Sequence, residues 1–229
     1  MNDIGIIYAA GGSGSRYRGN KLFVELEGEP LFLRSIRNFM DLCPPENAVL
    51  VVPGTLLAEY RRIVREHLAE YPLQVVFGGM ERSDSVRNGL NALPDGIEYV
   101  AVHDAARPMA DAALFLKCLE AARGCGGAIP GKPVSDTLKK VDEHNLITGT
   151  VDRSELWRVE TPQIFRWALL ADAYRRIPGG FTDDAAVMAA AGHPVRMVYN
   201  PALNLKITYP EDLEVIQHLA ARRKALVGE

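Results

Sequence analysis

The sequence predicts an α/β fold, a Rossmann-like and mostly parallel sheet flanked by helices, and three observations indicate it. Short apolar runs recur along the chain, and their length and β-branched content suit strands buried on both faces. Segments whose apolar residues follow helical spacing lie between the runs, as expected of parallel strands joined by right-handed crossovers. Glycine-rich turns follow two of the runs, at the sheet edge where α/β proteins bind ligands.

The individual elements follow from periodicity and from turn residues. Strands are predicted at 4–10, 48–52, 74–77, 99–103, 128–134, 195–199 and 204–208. Helices are predicted at 31–40, 56–68, 86–93, 112–124, 168–174, 184–191 and from 210 onward. Asp111 is the expected cap of the fourth helix, and Pro210 the expected first residue of the last.

The pattern changes after Gly127, where two short alternating segments replace the strand and helix rhythm. Residues 137–141 and 146–151 flank Asp142-Glu143-His144-Asn145, which is typical of a β-hairpin. We predict a β-arm at about 136–153 within a single domain of residues 1–229. Because a two-stranded ribbon buries too little surface by itself, the arm is expected to dock on a second copy and form a homodimer.

Composition excludes several classes of protein. The chain has 229 residues, 48% of them hydrophobic, which suffices for a substantial core. The net charge of −3 gives no basic field for nucleic acid or anionic lipid, and neither a signal peptide nor an apolar run of membrane-spanning length is present. Three cysteines without a paired motif and five scattered histidines favour a reduced, cytoplasmic protein without a zinc site.

The glycine loop after the first predicted strand is the strongest local signal. Gly11-Gly12-Ser13-Gly14-Ser15-Arg16 lets backbone amides approach a ligand, and Arg18 and Lys21 add positive charge, which together predict a phosphate cradle. Tyr17 stands where the dinucleotide fingerprint needs glycine, and Gly19-Asn20-Lys21-Leu22 departs from the Walker loop. The alternative is a purely structural tight turn.

A second glycine pair, Gly78-Gly79, follows the third predicted strand and leads through Ser85 into a helix. Loops at the carboxyl ends of parallel strands line one crevice, so this pair is expected to face the first glycine loop. The alternative is an ordinary helix start with Ser83 as its cap, and the two uses of the loop are compatible.

Two charged residues stand out at other strand ends. Asp104 follows a buried strand, where a carboxylate is well placed to hold a divalent cation or a sugar hydroxyl, although a helix cap or an ion pair with Arg107 would also explain it. Lys206 lies in an apolar segment, so it either needs an anionic partner or extends its ammonium group to solvent.

Taken together, these segments resemble a known family. The motifs that carry the resemblance are 9–16, 78–79 with 82–85, 103–108, 150–153, 161–163, 182–184 and 204–208. In this order they resemble the 2-C-methyl-D-erythritol 4-phosphate cytidylyltransferases, and the resemblance covers nearly the whole chain. The implied fold is of the nucleotide-diphospho-sugar transferase type with a protruding β-arm. The implied reaction joins CTP to methylerythritol phosphate and releases pyrophosphate, with Mg²⁺ as cofactor.

The resemblance also implies a role for each matching position. The implied catalytic cations are Arg16, Lys21, Arg153 and Lys206. The implied nucleotide-binding residues are Ala9, Ala10, Gly11, Gly12, Gly79, Ser85 and Asp104, with Asp104 also at the metal. The implied substrate-binding residues are Arg107, Thr137, Arg153, Thr161 and Lys206. The family exchanges its arm between two subunits, so Thr137 and Arg153 are expected to complete the partner's active site.

Three positions depart from the family pattern, and two other functions stay open. Asn20 stands where proline is usual, Leu22 where glutamine is common, and Met80 where many members carry aspartate beside the cytosine. A ribitol 5-phosphate cytidylyltransferase, or an enzyme for another alditol phosphate, has similar motifs. A non-catalytic nucleotide-binding module is the alternative of a different class, and the presence of all the expected cations argues against it.

Overall fold

The computed structural model describes residues 1–11, 20–177 and 180–227, with side chains described as far as Arg222. Within these residues, twelve strands are present. In chain order they are β1 Ile4–Ala9, β2 Glu25–Leu26, β3 Glu29–Pro30, β4 Ala48–Val52, β5 Gln74–Phe77, β6 Tyr99–Asp104, β7 Gly127–Pro133, β8 Leu138–Val141, β9 Ile147–Val151, β10 Trp157–Val159, β11 Gln163–Arg166 and β12 Arg196–Tyr199. β2 pairs with β3 and β8 with β9, and the other eight form one central sheet.

The middle of the sheet is parallel and brings several strand ends to one level. β1 lies between β4 and β6, and Ala9 is in register with both Val51 and Asp104. β5 extends the sheet beyond β4, with Phe77 opposite Val52. The loops that follow β1, β5 and β6 therefore leave the sheet at the same edge, as predicted for a ligand crevice.

The other half of the sheet is mixed. β11 lies antiparallel between β6 and β7, β10 pairs antiparallel with the far end of β7, and β12 runs parallel to β7. The sheet is mostly parallel, as predicted. Neither β10 nor β11 was expected, because Trp157–Val159 and Gln163–Arg166 each contain only two apolar residues, too few to form a recognisable apolar run.

Seven helices are present in the described residues. They are α1 Leu31–Arg37, α2 Leu57–His67, α3 Arg82–Ala92, α4 Ala112–Cys125, α5 Trp167–Arg176, α6 Asp184–Ala190 and α7 Pro210–Val227. The side chain of Asp111 caps α4 as predicted, accepting a hydrogen bond from the Leu114 amide at 2.9 Å. The cap of α3 is Glu81 rather than Ser83, because Glu81 and Asp84 form a reciprocal capping box.

Two predicted elements differ from the structure. α1 ends at Arg37, although apolar residues continue at helical spacing to Met40, because the chain turns there into a series of short hydrogen-bonded turns. Residues 204–208 form an extended segment without a strand ladder, and the Ile207 amide donates to the Ala106 carbonyl at 2.9 Å. This bond holds the segment against the loop that follows β6.

The two faces of the sheet bury separate apolar layers. Ile6 and Tyr8 of β1 face α1, α2 and α4, whereas Ile7 faces α3, α5 and α6. Because successive residues of a strand point to opposite faces, a continuous apolar run such as β1 is needed to fill both layers. This packing fixes the strand ends from which the functional loops extend.

The predicted hairpin is present and projects from the sheet. β8 and β9 pair antiparallel, with an irregularity beside Val141, and Val141, Leu146 and Ile147 are exposed. No helix that the structure describes is both long and apolar enough to span a membrane.

Candidate active site

The loops after β1 and β5 lie against each other, as predicted. The Ala10 amide donates to the Val51 carbonyl at 2.8 Å, and a Cβ placed on Gly11 would come within 3.2 Å of the Ser85 hydroxyl oxygen. Ala9 is linked to the third loop, because its carbonyl accepts from the Ala105 amide at 3.1 Å. Gly12, Arg16 and Arg18 lie outside the described residues. Of the predicted phosphate cradle, the structure describes Gly11 at one end and the residues from Asn20 onward at the other.

The second glycine pair forms a tight turn around Ser85. The Ser85 hydroxyl accepts from the Gly79 amide and donates to the Glu81 carbonyl, both at 3.2 Å. A Cβ on Gly78 would lie 2.6 Å from the Ser85 hydroxyl oxygen, and one on Gly79 would lie 2.1 Å from the Asp84 Cβ. Larger residues would therefore displace Ser85 from Gly11. Met80 is fully exposed beside this turn.

Asp104, at the end of β6, is the centre of a group of ion pairs. Its Oδ2 lies 2.8 Å from the Lys206 ammonium and 3.4 Å from Nε of Arg107. Burial would raise the pKa of the carboxyl group, but Lys206, Arg107 and Arg82 more than offset it and hold the pKa well below its usual value. Asp104 is therefore ionised, and the anionic partner expected for Lys206 is this carboxylate.

Lys21 contacts the segment that carries Lys206. Its ammonium donates to the Ile207 carbonyl at 2.6 Å, one residue beyond Lys206. The Arg107 guanidinium donates to the Asn204 carbonyl at 2.8 Å, so it too contacts the 204–208 segment. Three of the predicted cations thus meet where this segment crosses the ends of the sheet.

Arg82 is a charged residue of the site to which the sequence assigned no role. Its guanidinium lies 2.7 Å from Oδ2 of Asp184, which is fully buried at the start of α6. Burial would lower the pKa of Arg82, but Asp184 and Asp104 raise it above its ordinary value. The two motifs are about a hundred residues apart, so only the fold reveals their pairing.

Thr161 and His103 lie behind Asp104 in the buried interior. The Thr161 hydroxyl oxygen accepts from the Asp104 amide at 3.0 Å and lies 3.0 Å from Nδ1 of His103. Nε2 of the same ring lies 3.2 Å from the Arg107 carbonyl. Burial is the main cause that lowers the pKa of His103 to about 3, so the ring is neutral near pH 7.

We expect the pH dependence of stability to report this buried histidine. The folded pKa of about 3 lies below the value of 6.5 for a free imidazole, so the unfolded chain binds the proton more tightly. The stabilisation is complete above pH 6.5 and is lost as the pH falls towards 3. Its slope approaches ~1.4 kcal/mol per pH unit. Urea denaturation at a series of pH values measures it.

A matched pair of variants separates His103 from other acid-sensitive groups. His103→Asn should flatten the slope between about pH 6 and pH 4, whatever its effect on stability at neutral pH. His144→Asn, in the exposed arm, should leave the slope unchanged. A His103→Asn protein with the wild-type slope would contradict the buried, neutral state.

Thr137 and Arg153 lie at the base of the arm, and the structure does not bring them to Asp104. Both are exposed, and the Arg153 guanidinium donates to the Ser135 carbonyl within the arm base. Neither takes part in the ion pairs of Asp104 that the described residues form. The site within one chain therefore contains Lys21, Arg107 and Lys206 but not Arg153.

A magnesium site is compatible with Asp104 alone. The described residues contain no group of three or more His, Cys, Asp or Glu side chains that could enclose a metal ion. Mg²⁺ bound to nucleotides commonly uses one or two carboxylates together with substrate phosphates and water. In the ion pairs that the described residues form, Asp104 contacts Arg107 and Lys206 through Oδ2.

Comparison with known proteins places these residues in context. The sequence profile of a family described as 2-C-methyl-D-erythritol 4-phosphate cytidylyltransferase matches residues 4–222. Relatives with this name include those of Microcystis aeruginosa, 37% identical over 95% of this chain and 99% of the relative, and Geobacillus thermodenitrificans, 38% identical over 98% and 100%. A relative of Clavibacter michiganensis named bifunctional enzyme IspD/IspF is 41% identical over 96% of this chain, which spans 55% of its length.

Solved structures give the same picture of the fold. The cytidylyltransferase of Thermus thermophilus superposes with a TM-score of 0.78 at 30% identity, over 96% of this chain and 99% of that one. The bifunctional IspDF of Campylobacter jejuni superposes with a TM-score of 0.80 at 25% identity, over 93% of this chain and 54% of that one.

Proposed function

The chain belongs to the 2-C-methyl-D-erythritol 4-phosphate cytidylyltransferase family, and from this premise we propose that it transfers a cytidylyl group from CTP to 2-C-methyl-D-erythritol 4-phosphate. The products are 4-diphosphocytidyl-2-C-methyl-D-erythritol and pyrophosphate, and the reaction is a step of non-mevalonate isoprenoid synthesis. The observation that carries the proposal is the meeting of Lys21, Arg107 and Lys206 around the end of β6.

The chemistry of this reaction fits a site built from cations. The attacking group is a phosphate, which is an anion near neutral pH, so no general base is required. The obstacle is electrostatic, because two anions must approach and charge must gather on the α-phosphoryl group while pyrophosphate leaves. Fixed positive charges in a largely buried site lower this barrier, since they need no reorganisation during the reaction.

The ion pair between Lys206 and Asp104 explains how one cation can be fixed and still be available. Oδ2 of Asp104 holds the ammonium at 2.8 Å, while 43% of the Lys206 side chain is exposed. The ammonium has three donor hydrogens, so it can meet a phosphate oxygen without leaving Asp104. Lys21, held by the Ile207 carbonyl, would act from the nucleotide side together with Arg16.

Mg²⁺ is the proposed cofactor, and Asp104 would hold it together with phosphate oxygens. Bound there, the ion would neutralise negative charge on the triphosphate. The proposed nucleotide site uses the turns around Gly11 and Gly79, which Ser85 joins. Because Met80 carries no carboxylate, recognition of the cytosine would rely on backbone groups at this turn. The cytoplasm is the proposed compartment, supported by three free cysteines, two of them buried.

An assay of pyrophosphate release tests the function directly. With CTP and Mg²⁺, we expect turnover with 2-C-methyl-D-erythritol 4-phosphate and little or none with ribitol 5-phosphate. A preference for ribitol 5-phosphate would replace the proposed substrate within the same reaction class. Binding of CTP without pyrophosphate release from either alditol phosphate would indicate the non-catalytic module instead.

We also propose that the protein is a homodimer in which the arm of one subunit completes the site of the other. The exposed apolar side chains of Val141, Leu146 and Ile147 support this proposal, because a hairpin is marginally stable by itself and apolar side chains grouped on it are typical of a surface that a partner covers. Thr137 and Arg153, exposed at the arm base, would then reach the partner's alditol phosphate.

Mixed dimers test whether Arg153 acts across the interface. Arg153→Ala and Lys206→Met should each be nearly inactive alone. In a heterodimer purified through two different tags, one site would carry both defects and the other none, so about half of the wild-type turnover should return. An inactive heterodimer would mean that Arg153 serves the site of its own subunit.

A further inference from the structure

The hydrogen-bonding roles around His103 can be assigned from the atoms involved. The Arg107 carbonyl can only accept, so Nε2 of His103, 3.2 Å away, carries the proton. A neutral ring has one protonated nitrogen, and therefore Nδ1 is an acceptor. The Thr161 hydroxyl, 3.0 Å from Nδ1, must then donate its only proton to the ring.

The remaining contact of Thr161 is consistent with this assignment. The Asp104 amide donates to the hydroxyl oxygen at 3.0 Å, so the hydroxyl accepts from one side and donates to the other. Complete burial disfavours the charged form of the ring, and the rings of Phe39 and Tyr8 pack edge-on against it at 4.9 Å and 6.3 Å between centroids. A charged ring would reverse the direction of the Thr161 bond.

We infer that His103 is a positioning residue for the proposed cytidylyl transfer. Its Nδ1 accepts the hydrogen bond of the Thr161 hydroxyl and thereby directs the hydroxyl oxygen onto the Asp104 amide. Thr161 then has no proton left for a phosphate, so its hydroxyl serves Asp104 rather than the sugar phosphate that the family resemblance implies. This inference rests on the proposed function.

The same ring also holds the segment that carries Arg107. Nε2 of His103 fixes the Arg107 carbonyl, while the guanidinium of that residue contacts Asp104 and the Asn204 carbonyl. The Asn204 side chain donates in turn to the Thr161 carbonyl at 2.8 Å. The buried imidazole thus contacts Thr161 and Arg107 directly, and these two residues in turn contact the segment that carries Lys206.

The tautomer can be measured in the wild-type protein, without any variant. Nitrogen-15 NMR of histidine-labelled protein should show His103 as the Nε2–H tautomer at neutral pH, with Nδ1 unprotonated. Thr161→Val, which removes the hydroxyl and keeps the shape, should shift the Nδ1 resonance. A protonated Nδ1, or an Nδ1 resonance that Thr161→Val leaves in place, would overturn the inference.

Kinetics then separate positioning from a merely structural role. The side-chain amide of asparagine can place an acceptor near the position of Nδ1. The longer glutamine places its amide near the position of Nε2, where it can donate, and leaves no acceptor near Nδ1. We expect His103→Asn, which keeps an acceptor for Thr161 but loses the bond to the Arg107 carbonyl, to lose less turnover than His103→Gln. His103→Gln should lose about 10- to 100-fold in kcat/KM for the alditol phosphate, with CTP affinity unchanged. The opposite order of the two variants, or an equal loss of CTP affinity, would overturn the inference.

A double-mutant cycle completes the test. If His103 acts through Thr161, the combination of His103→Gln with Thr161→Val should be no worse than the poorer single variant. Additive losses would mean that Thr161 contacts the phosphate independently, and would overturn the inference. A wild-type protein without cytidylyl transfer would instead refute the proposed function, while the tautomer measurement would still stand on its own.

Discussion

Lys206→Met is expected to lower turnover by about 10²- to 10³-fold while the protein stays folded. The ammonium of Lys206 lies 2.8 Å from Asp104 Oδ2 and is the partner that contributes most to the low pKa of that carboxyl group. Methionine keeps the apolar stem but supplies no charge to the approaching phosphates. Pyrophosphate release at saturating CTP and alditol phosphate measures the loss.

Two further lysine variants make the result specific. Lys117→Met, on the exposed surface of α4, removes the same charge from another region and should leave turnover unchanged. Lys206→Arg keeps a positive charge at the site and should recover part of the lost activity, although its planar group cannot copy the ammonium geometry. Near-normal turnover of Lys206→Met would reject Lys206 as a catalytic cation.

The sequence singled out Lys206 but could not choose its role or identify its partner. A lysine in an apolar segment either pairs with an anion or extends its ammonium group to solvent, whether or not the segment is a strand. Asp104 becomes the partner because the Ile207 amide bonds to the Ala106 carbonyl, which places the segment across the end of β6. No local pattern encodes a contact between residues a hundred positions apart.

The central sheet shows the same difference between what a local pattern predicts and what only tertiary contacts decide. β1, β4, β5 and β6 each contain at least three consecutive apolar residues, and each was predicted to within a residue of its bounds. β11 has four residues, Gln163 to Arg166, and becomes a strand because β6 and β7 both offer it hydrogen-bonding edges. Its position is a product of tertiary structure, and it fixes Thr161 beside Asp104.

In the sequence, His103 is the last residue of a predicted strand and the first residue of the 103–108 motif, with no role of its own. A histidine there gives no local signal of function, because the same position could hold any buried residue. Its importance comes from two contacts made by different segments, the Thr161 hydroxyl and the Arg107 carbonyl. Atomic positions are needed to recognise such a residue, because the tautomer of a histidine depends on its hydrogen-bond partners and not on the neighbouring sequence.

Asp104→Asn is expected to affect folding and turnover together. The carboxylate faces Arg107, which is almost equally buried, and Lys206. Loss of one partner from a buried ion pair leaves the other charge uncompensated and costs about 3–5 kcal/mol in the free energy of unfolding. The exposed ammonium of Lys206 contributes less to this cost, because solvent screens it. Urea denaturation at neutral pH measures the change.

Turnover should also fall, by about 10²-fold, because Asp104 keeps Lys206 and Arg107 in place and a misplacement of about 1 Å costs that much. The pH dependence identifies the cause. Since the folded pKa of Asp104 is depressed, its stabilisation is complete above the usual value of 3.8 and is lost as the pH falls below it. Asp104→Asn should remove that part of the acid sensitivity, whereas Asp172→Asn should change it far less, because the Arg175 and Arg176 pairs that lower the pKa of Asp172 lie at the surface, where solvent screens them. A variant as stable and active as the wild type would show that Asp104 does not organise the site.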